Sequence, residues 1–396
     1  MQDWLFLLLP VAAASGWFAA KNHYIQKGRG DPGQEFRQAY CRGLNYLLSE
    51  KTDKAIDTFA SLLESDRETI ETHIALGNLF RRRGDLERAI EIHENLIQKG
   101  VLDTEQRALA QYELGLDYLR SGLFDRAEII FGNLIDHPGR GRAALQQLLA
   151  IFQHEKEWQK AIECTRKLAR LGKLPHGESV AQFLCELAEE ALAAHRNEEA
   201  FQWLEQARAE DTGCVRANLL LARMRMRDGL YEEALLALKQ VEAQDPAYIQ
   251  EILEPLQICY ERLNKSPAEL MGYLGYVYET YGLESAALAL ARQLRTERGN
   301  GRAIEHLQRV LEAHPSLKTL NAMTGLLLEE KNGAQREALI RLDRAIDRLC
   351  AGAVRYRCSH CGFSGNELHW RCPSCRHWVA MRPVTAGRSG SASGFQ

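Results

Sequence analysis

Four cysteines near the C-terminus have the residue type and the spacing of a metal site. They form two Cys-x-x-Cys pairs separated by ten residues: Cys358, Cys361, Cys372 and Cys375. Two residues between the cysteines of a pair let a tight turn direct both sulfurs at one ion, and four thiolates satisfy a tetrahedral centre. Gly362 supplies backbone freedom after the first pair, and Pro373 stiffens the second. The pattern predicts one tetrathiolate-bound metal ion, either iron or zinc, since both accept four sulfurs.

The same donor set indicates a structural role for the ion. Protein ligands would fill all four coordination positions, whereas a catalytic zinc keeps one position open for water or substrate. Such a short segment buries too little surface to fold alone, so the ion would supply on the order of 10 kcal/mol of folding free energy. The alternative is two redox dithiols or two disulfides. A thioredoxin-like dithiol is expected beside a βαβ pattern, which is not found here.

Aromatic and basic residues surround the two cysteine pairs. We expect four aromatic residues to pack around the metal site: Tyr356, Phe363, Trp370 and Trp378. Four arginines accompany them: Arg355, Arg357, Arg371 and Arg376. Together these side chains are also compatible with a stacking and phosphate-binding surface for nucleic acid. However, four thiolates around a divalent ion carry a net charge near −2, which neighbouring arginines would offset without any nucleic acid.

The opposite end of the chain carries an apolar run. From Trp4 to Ala20 no residue is charged, and the positive charges Lys21, Lys27 and Arg29 follow. As a helix this run is roughly 25 Å long, near the lower limit for a hydrocarbon core of about 30 Å. Because positive residues favour the cytoplasmic side, the pattern predicts a transmembrane anchor at residues 1–20, a linker at 21–35 and a cytoplasmic remainder. The alternative is a buried soluble helix, favoured by Pro10 and the short length.

The remaining cysteines lack any partner at metal-site spacing. A cytoplasmic location would keep them reduced and would leave the four terminal thiolates available for metal. We expect these six to be small, buried, apolar residues: Cys41, Cys164, Cys185, Cys214, Cys259 and Cys350.

A repeat of about 34 residues fills the centre of the chain. Small residues recur at intervals of 34, 38, 34, 39 and 34 residues: Ala55, Ala89, Ala127, Ala161, Ala200 and Ala234. Thirty-four residues is the period of the tetratricopeptide repeat, a pair of antiparallel helices. Stacked pairs of this kind form a right-handed superhelix with a concave groove, which binds peptides or protein surfaces. We assign residues 36–248 to these repeats.

Several local patterns support that register. A small or apolar residue lies twelve positions before each alanine, as at Gly77 and Gly115, and turn sequences such as Arg83-Gly84-Asp85 separate the helices. Asn78 and Arg81 are candidates for exposed side chains in the groove. After Pro246 the period loosens, and we interpret residues 249–350 as repeat-like hairpins. Their candidate crossing residues are Ala287, Ala303 and Ala338.

Composition and motifs argue against an enzyme or a strongly basic nucleic-acid binder. Charged residues make up 26% of the chain, and the formal net charge is −3. The segment His154-Glu155 lacks the second histidine of a zinc-protease helix, and neither a GxxxxGK[ST] phosphate loop nor a GxSxG elbow occurs. We therefore expect no catalytic residue and no organic cofactor. The Gly/Ser-rich tail at residues 384–396 is predicted to be disordered.

Taken together, the segments LFLLLPVAAA, GNLFRRRGDLERAI and YRCSHCGFSGNELHWRCPSCRHW resemble the lipopolysaccharide assembly protein B family of Gram-negative bacteria. The resemblance covers nearly the whole chain, and the cysteine module is its specific part. It implies an all-α tetratricopeptide-repeat superhelix with an N-terminal transmembrane helix. It also implies a small C-terminal rubredoxin-like or zinc-ribbon domain, residues 354–383, that folds back against the repeats.

The resemblance further implies an adaptor on the cytoplasmic face of the inner membrane that regulates lipopolysaccharide synthesis. In that role it promotes degradation of the deacetylase that commits the cell to lipid A, by a membrane-anchored AAA+ metalloprotease. Other lipopolysaccharide assembly membrane proteins and a second copy of the chain are further candidate partners. Two alternatives from other classes are an electron carrier with an iron tetrathiolate and a nucleic-acid-binding ribbon on a helical scaffold.

Overall fold

The computed structural model describes residues 51–64, 70–98, 102–172, 176–330, 332–350, 352 and 354–384, with isolated positions before residue 51. Most of the predicted anchor at residues 1–20, of the linker at 21–35 and of the tail at 384–396 lies outside the described residues. Within the described part, none of the helices combines the length and the apolar character that a membrane crossing requires. The chain divides into two compact units, residues 1–172 and 173–396.

The first unit consists of antiparallel helices. In chain order these are α1 (Thr52–Glu64), α2 (Ile70–Arg83), α3 (Leu86–Gln98), α4 (Thr104–Arg120), α5 (Phe124–Gly132), α6 (Gly141–Glu155) and α7 (Trp158–Gly172). Helices α2 and α3, α4 and α5, and α6 and α7 form hairpins. Local sequence sets their ends: Asp103 and Gln106 form a reciprocal capping box at the start of α4.

The second unit combines further helices with a small sheet. The helices are α8 (Gly177–Ala193), α9 (Asn197–Glu210), α10 (Val215–Arg227), α11 (Tyr231–Gln244), a 3₁₀ helix (Pro246–Tyr248), α12 (Ile249–Arg262), α13 (Pro267–Tyr281), α14 (Glu284–Arg298), α15 (Asn300–Ala313), α16 (Leu317–Glu330) and α17 (Gly333–Cys350). The strands are β1 (Tyr356–Cys358), β2 (Ser364–Gly365) and β3 (Met381–Pro383). They pair antiparallel in the order β2-β1-β3.

The six alanines predicted from the period are all fully buried. Each lies in the second helix of a repeat, where small side chains allow two helices to approach closely. The residues twelve positions earlier face the same crossings: a Cβ atom at Gly115 would lie 2.8 Å from the Phe131 ring. Gly84, Gly122 and Gly229 have φ of 88°, 78° and 78° in the turns between helices. These observations confirm the predicted tetratricopeptide repeats.

The loosened period after Pro246 has a structural cause. The Asp245 side chain caps the 3₁₀ helix that begins at Pro246, and α12 follows as an additional helix before the next hairpin. Ala287 and Ala303 are fully buried, as expected, in the consecutive helices α14 and α15. Ala338 is exposed, so it does not mark a tight crossing. It lies on α17, the last described helix, which packs against α16.

The expectation that Asn78 and Arg81 project freely into a groove is wrong. The Arg81 side chain is only 15% exposed and pairs with Glu113 at 2.6 Å and Asp117 at 2.8 Å. It also donates to Asn78 Oδ1. The fully buried His93 lies 2.5 Å from the other oxygen of Asp117. A helical position alone predicts a solvated arginine, but the carboxylates of Glu113 and Asp117, one repeat later, pair with Arg81 and keep it largely buried.

Candidate metal centre and its docking face

The two cysteine pairs form matching turns at the end of the second unit. In the first, the Cys358 N–H donates to Phe363 O and the Gly362 N–H to Cys358 O. In the second, the Cys372 N–H donates to His377 O and the Arg376 N–H to Cys372 O. Both turns place the residue after the second cysteine at positive φ, 77° for Gly362 and 60° for Arg376. The predicted role of Gly362 is confirmed, whereas Arg376 takes the same conformation without glycine.

These turns bring all four sulfurs together. The Sγ atoms of Cys358 and Cys375 are 3.7 Å apart, as are those of Cys361 and Cys372, and all four lie within 4.8 Å of one another. A tetrahedral ion with metal–sulfur bonds of about 2.3 Å separates its sulfurs by about 3.8 Å. The donor set therefore fits a single tetrahedral metal ion, as the spacing predicted.

The surroundings of the sulfurs shift the pKa values of two thiols in opposite directions. At Cys375 the His377 N–H lowers the pKa, but burial and the other three cysteines outweigh it and raise the pKa to about 12. A hydrogen bond from the Phe363 N–H lowers the pKa of the Cys361 thiol to about 6. The imidazoles of His360 and His377, one near each turn, stack with 3.5 Å between their centroids. Sequence reasoning did not anticipate this pair, because the two histidines are seventeen residues apart and each is exposed. The stack joins the two turns outside the sulfur cluster.

Two tryptophans of the module pack against helices of the same unit. Trp370 stacks on Tyr248 with 5.4 Å between centroids, and Trp378 meets the Phe183 ring edge-on at 5.6 Å. Trp378 also lies beneath the Arg216 guanidinium, 6.0 Å from its ring centre. The expectation that both tryptophans pack around the metal is therefore corrected: their rings contact the repeats. These contacts confirm that the module folds back onto the helices.

Polar contacts fix the position of the module. The buried Tyr248 hydroxyl donates to Met381 O at 3.0 Å, and the Tyr356 hydroxyl donates to Glu251 at 2.6 Å. Burial raises the pKa of Tyr248 to about 12, and burial together with Glu251 raises the pKa of Tyr356. Arg382 forms an ion pair with Asp245, which also caps the 3₁₀ helix. Both hydroxyls therefore remain protonated donors at neutral pH.

Sequence reasoning missed the helical residues that the module packs against, which we call the docking face. Phe183, Tyr248 and Glu251 are more than a hundred residues from their partners in the module. Local periodicity carries no information at that separation. One indirect signal was present: Tyr248 follows Asp245-Pro246, where the repeat register breaks. A large aromatic residue at a break in the repeat register marks a position where a segment from outside the repeats could pack.

A cavity of about 570 Å³ lies beside the docked module. On its helical side are Glu186, Glu189, Arg216, Arg223 and Glu251, and on its module side Leu368, His369, Trp370 and Arg371. Arg216 is 2% exposed and pairs with Glu186 at 2.7 Å and Glu189 at 3.1 Å, while Arg223 is exposed. The two glutamates neutralise the buried Arg216 guanidinium. Arg223, in contrast, is accessible to a partner.

The other cysteines are mostly buried. Cys164, Cys185, Cys214 and Cys259 lie in the core, as predicted. Cys41 is exposed, which corrects that expectation. It lies two residues before the buried Gly43 in a helix, and residues two apart point to different faces.

Fold and site together define a tetratricopeptide-repeat protein with a terminal tetrathiolate ribbon. A family model described as a rubredoxin metal binding domain matches residues 356–383, and tetratricopeptide-repeat models match residues 72–108 and 191–253. The chain is 38% identical to lipopolysaccharide assembly protein B of Escherichia coli strain K12 over 385 residues, covering 97% of this chain and 98% of that protein. The chain is 36% identical to the Haemophilus influenzae protein of the same name, and the match covers 97% of this chain and 99% of that protein. The chain belongs to the lipopolysaccharide assembly protein B family.

Proposed function

We propose that this chain is an adaptor tethered to the inner membrane, with its repeats and metal module on the cytoplasmic side. In this role it brings the deacetylase that commits the cell to lipid A to a membrane-anchored AAA+ metalloprotease and so limits lipopolysaccharide synthesis. Membership of the lipopolysaccharide assembly protein B family over 97% of the chain is the observation that carries the proposal. The stacked repeats support it, because such arrays bind protein surfaces.

The anchor is part of the proposal. The uncharged run from Trp4 to Ala20, followed by Lys21, Lys27 and Arg29, supports a single membrane pass with the remainder in the cytoplasm. Confining an adaptor and a membrane protease to one surface raises their effective concentration without any new contact. The tether would therefore act through locality, independently of the fold of the repeats.

We also propose that Cys358, Cys361, Cys372 and Cys375 hold one iron or zinc ion. When bound, the ion holds the two turns together and contributes folding free energy to the module. The 3.7 Å sulfur separations support this assignment. In the folded module, Trp370, Trp378 and Tyr356 contact the repeats. The ion would therefore act by holding the module in the shape that makes these contacts.

Affinity purification of the full chain from membranes tests the adaptor function. We expect the metalloprotease and the deacetylase to co-purify, and deacetylase levels to rise when the chain is depleted. A variant lacking residues 1–20, expressed at the same level, should keep its helical circular dichroism but control the deacetylase less well. Equal control by this soluble variant would refute the role of the tether, and absence of both partners would refute the adaptor.

A further inference from the structure

Two buried cysteines outside the metal centre lie side by side. Cys185 is in the middle of α8, and Cys214 immediately precedes α10. Their Sγ atoms are 3.9 Å apart, and the residues are 0% and 2% exposed. Cys164 and Cys259 are also buried, but Cys164 donates its thiol hydrogen to Leu145 O. Among the described cysteines, Cys185 and Cys214 are the thiol pair that the metal centre does not use.

The surroundings of the pair differ for its two members. Cys214 lies within hydrogen-bond distance of the Cys185 thiol and accepts a hydrogen bond from Gln182 Nε2 at 3.6 Å. It lies at the N-terminus of the thirteen-residue helix α10. The Cys185 thiol and the backbone N–H of Ala217 lower the pKa of Cys214. Burial raises the pKa of Cys185. The two pKa values therefore shift in opposite directions, downward for Cys214 and upward for Cys185.

A cavity borders Cys214. A cavity of about 230 Å³ is lined by Cys214, Gln182 and Gly213 on the helical side and by Trp370, Val379 and Arg382 on the module side. A water molecule occupies about 30 Å³ of the liquid, so hydrogen peroxide, which is only slightly larger, fits easily. Cys185 does not line this cavity. The geometry thus separates a cysteine that lines the cavity from one that does not.

We propose that Cys185 and Cys214 are a peroxide-oxidisable dithiol, with Cys214 as the reacting thiol and Cys185 as the resolving thiol. The Cys214 thiolate attacks one oxygen of hydrogen peroxide, the O–O bond breaks, and a sulfenic acid and hydroxide form. The Cys185 sulfur then attacks the Cys214 sulfur, the S–O bond breaks, and a second hydroxide leaves. With the two thiol protons, both hydroxides become water. Two thiols and one peroxide therefore give one disulfide and two waters.

The disulfide would connect neighbouring repeats beside the docked module. A sulfur–sulfur bond is about 2.05 Å long, so the two sulfurs must approach by nearly 2 Å from their present contact. Cys185 lies two residues from Phe183, which contacts Trp378, and Cys214 lies two residues from Arg216. Oxidation therefore changes the helices on which the module rests and provides a means of linking adaptor function to the redox state of the cell.

Peptide mapping of the purified, metal-loaded full chain tests the proposal. Trypsin places the two cysteines on separate fragments, residues 174–196 and 209–216, each with one cysteine. After brief exposure to hydrogen peroxide, quenching and alkylation under denaturing conditions, we expect the disulfide-linked fragment pair. Cys214 should be oxidised at least about tenfold faster than Cys259, since reactivity with peroxide follows thiolate content and access. A reducing dithiol should reverse the linkage.

Variants separate the two roles. In Cys185→Ala, we expect Cys214 to accumulate as a sulfenic acid that dimedone traps, because the resolving thiol is absent. In Cys214→Ala, Cys185 should stay reduced, and Cys164→Ala should leave the linkage unchanged. The wild-type map decides the question even if a variant folds poorly. The proposal is overturned if Cys214 remains reduced while Cys259 is oxidised, or if Cys185 is oxidised equally fast in Cys214→Ala.

Discussion

Each unit buries an arginine that pairs with two carboxylates of a neighbouring repeat, yet the two arrangements differ in what surrounds them. In the first unit, Arg81 binds Glu113 and Asp117, and Asp117 also binds the buried His93. In the second, Arg216 binds Glu186 and Glu189 beneath the Trp378 ring and beside the 570 Å³ cavity. The first network lies within the repeats, whereas the second also contacts the metal module.

This difference shows how one repeated scaffold serves two purposes. Repeats interact with their neighbours, so a polar network can stabilise one junction without affecting distant ones. The Asp117 carboxylate is fully buried, and removing it would leave Arg81 with Glu113 alone and the buried His93 without this partner. Glu189 is 43% exposed, so the second network is held partly at the surface, where a docked element or a partner can contact it. We therefore expect stability effects in the first unit and docking or binding effects in the second.

The largest effect is expected from the metal ligands. Cys361→Ser replaces a thiolate by a poor ligand, and the module should lose the ion and with it on the order of 10 kcal/mol of folding free energy. Metal content by mass spectrometry and limited proteolysis measure the loss and the release of residues 354–384. Ser359→Ala in the same turn is the control and should retain metal. If the module of Cys361→Ser stays protected without metal, the structural role of the ion is wrong.

The second-largest loss of stability is expected in the first unit. Asp117→Ala removes one of the two carboxylates that pair with Arg81 and the hydrogen-bond partner of the buried His93. It should destabilise the protein by about 2–5 kcal/mol, because two buried contacts are lost at about 1–3 kcal/mol each. Urea unfolding monitored by circular dichroism measures the change. The exposed pair Arg83–Asp53 supplies the control, and Asp53→Ala should cost less than about 1 kcal/mol. Equal costs for the two variants would contradict the contrast between buried and surface pairs.

These comparisons also show what the sequence could and could not reveal. The alanine period and the cysteine spacing are local patterns, so the repeats and the sulfur cluster were predictable. The docking of Trp370 on Tyr248 joins residues 122 positions apart, and no spacing rule reaches that far. The prediction for Arg81 is wrong for a related reason, because its partners Glu113 and Asp117 lie in the next hairpin. Sequence identified the elements, while contacts between elements decided which polar side chains are buried.

A smaller effect is expected at the docking face. Tyr248→Phe keeps the ring on Trp370 but leaves Met381 O without its donor, at a cost of about 1–3 kcal/mol. Because the pKa of Tyr248 is raised from 10.0 to about 12, its contribution is complete below pH 10 and is lost as pH rises towards 12. Protection of the module from proteolysis should fall over that range in the wild type. In Tyr248→Phe, protection should depend less steeply on pH. Identical pH profiles for the two proteins would show that the Tyr248 hydroxyl does not hold the module in place.

The smallest stability effect, with a distinct effect on binding, is expected at the cavity. Arg223 is exposed and lines the cavity beside Glu189, so Arg223→Glu should change the free energy of unfolding by less than about 0.5 kcal/mol. Reversing its charge should nevertheless weaken partner binding if the cavity is part of the adaptor surface, because charges at an interface rim steer association. Arg262→Glu is the control, since Arg262 is exposed on α12 but does not line the cavity. Co-purification of the deacetylase and metalloprotease measures binding, and urea unfolding measures stability. Equal partner recovery with the two variants would place the binding surface elsewhere. A large loss of stability in Arg223→Glu would show that surface charges stabilise the second unit, as buried charges stabilise the first.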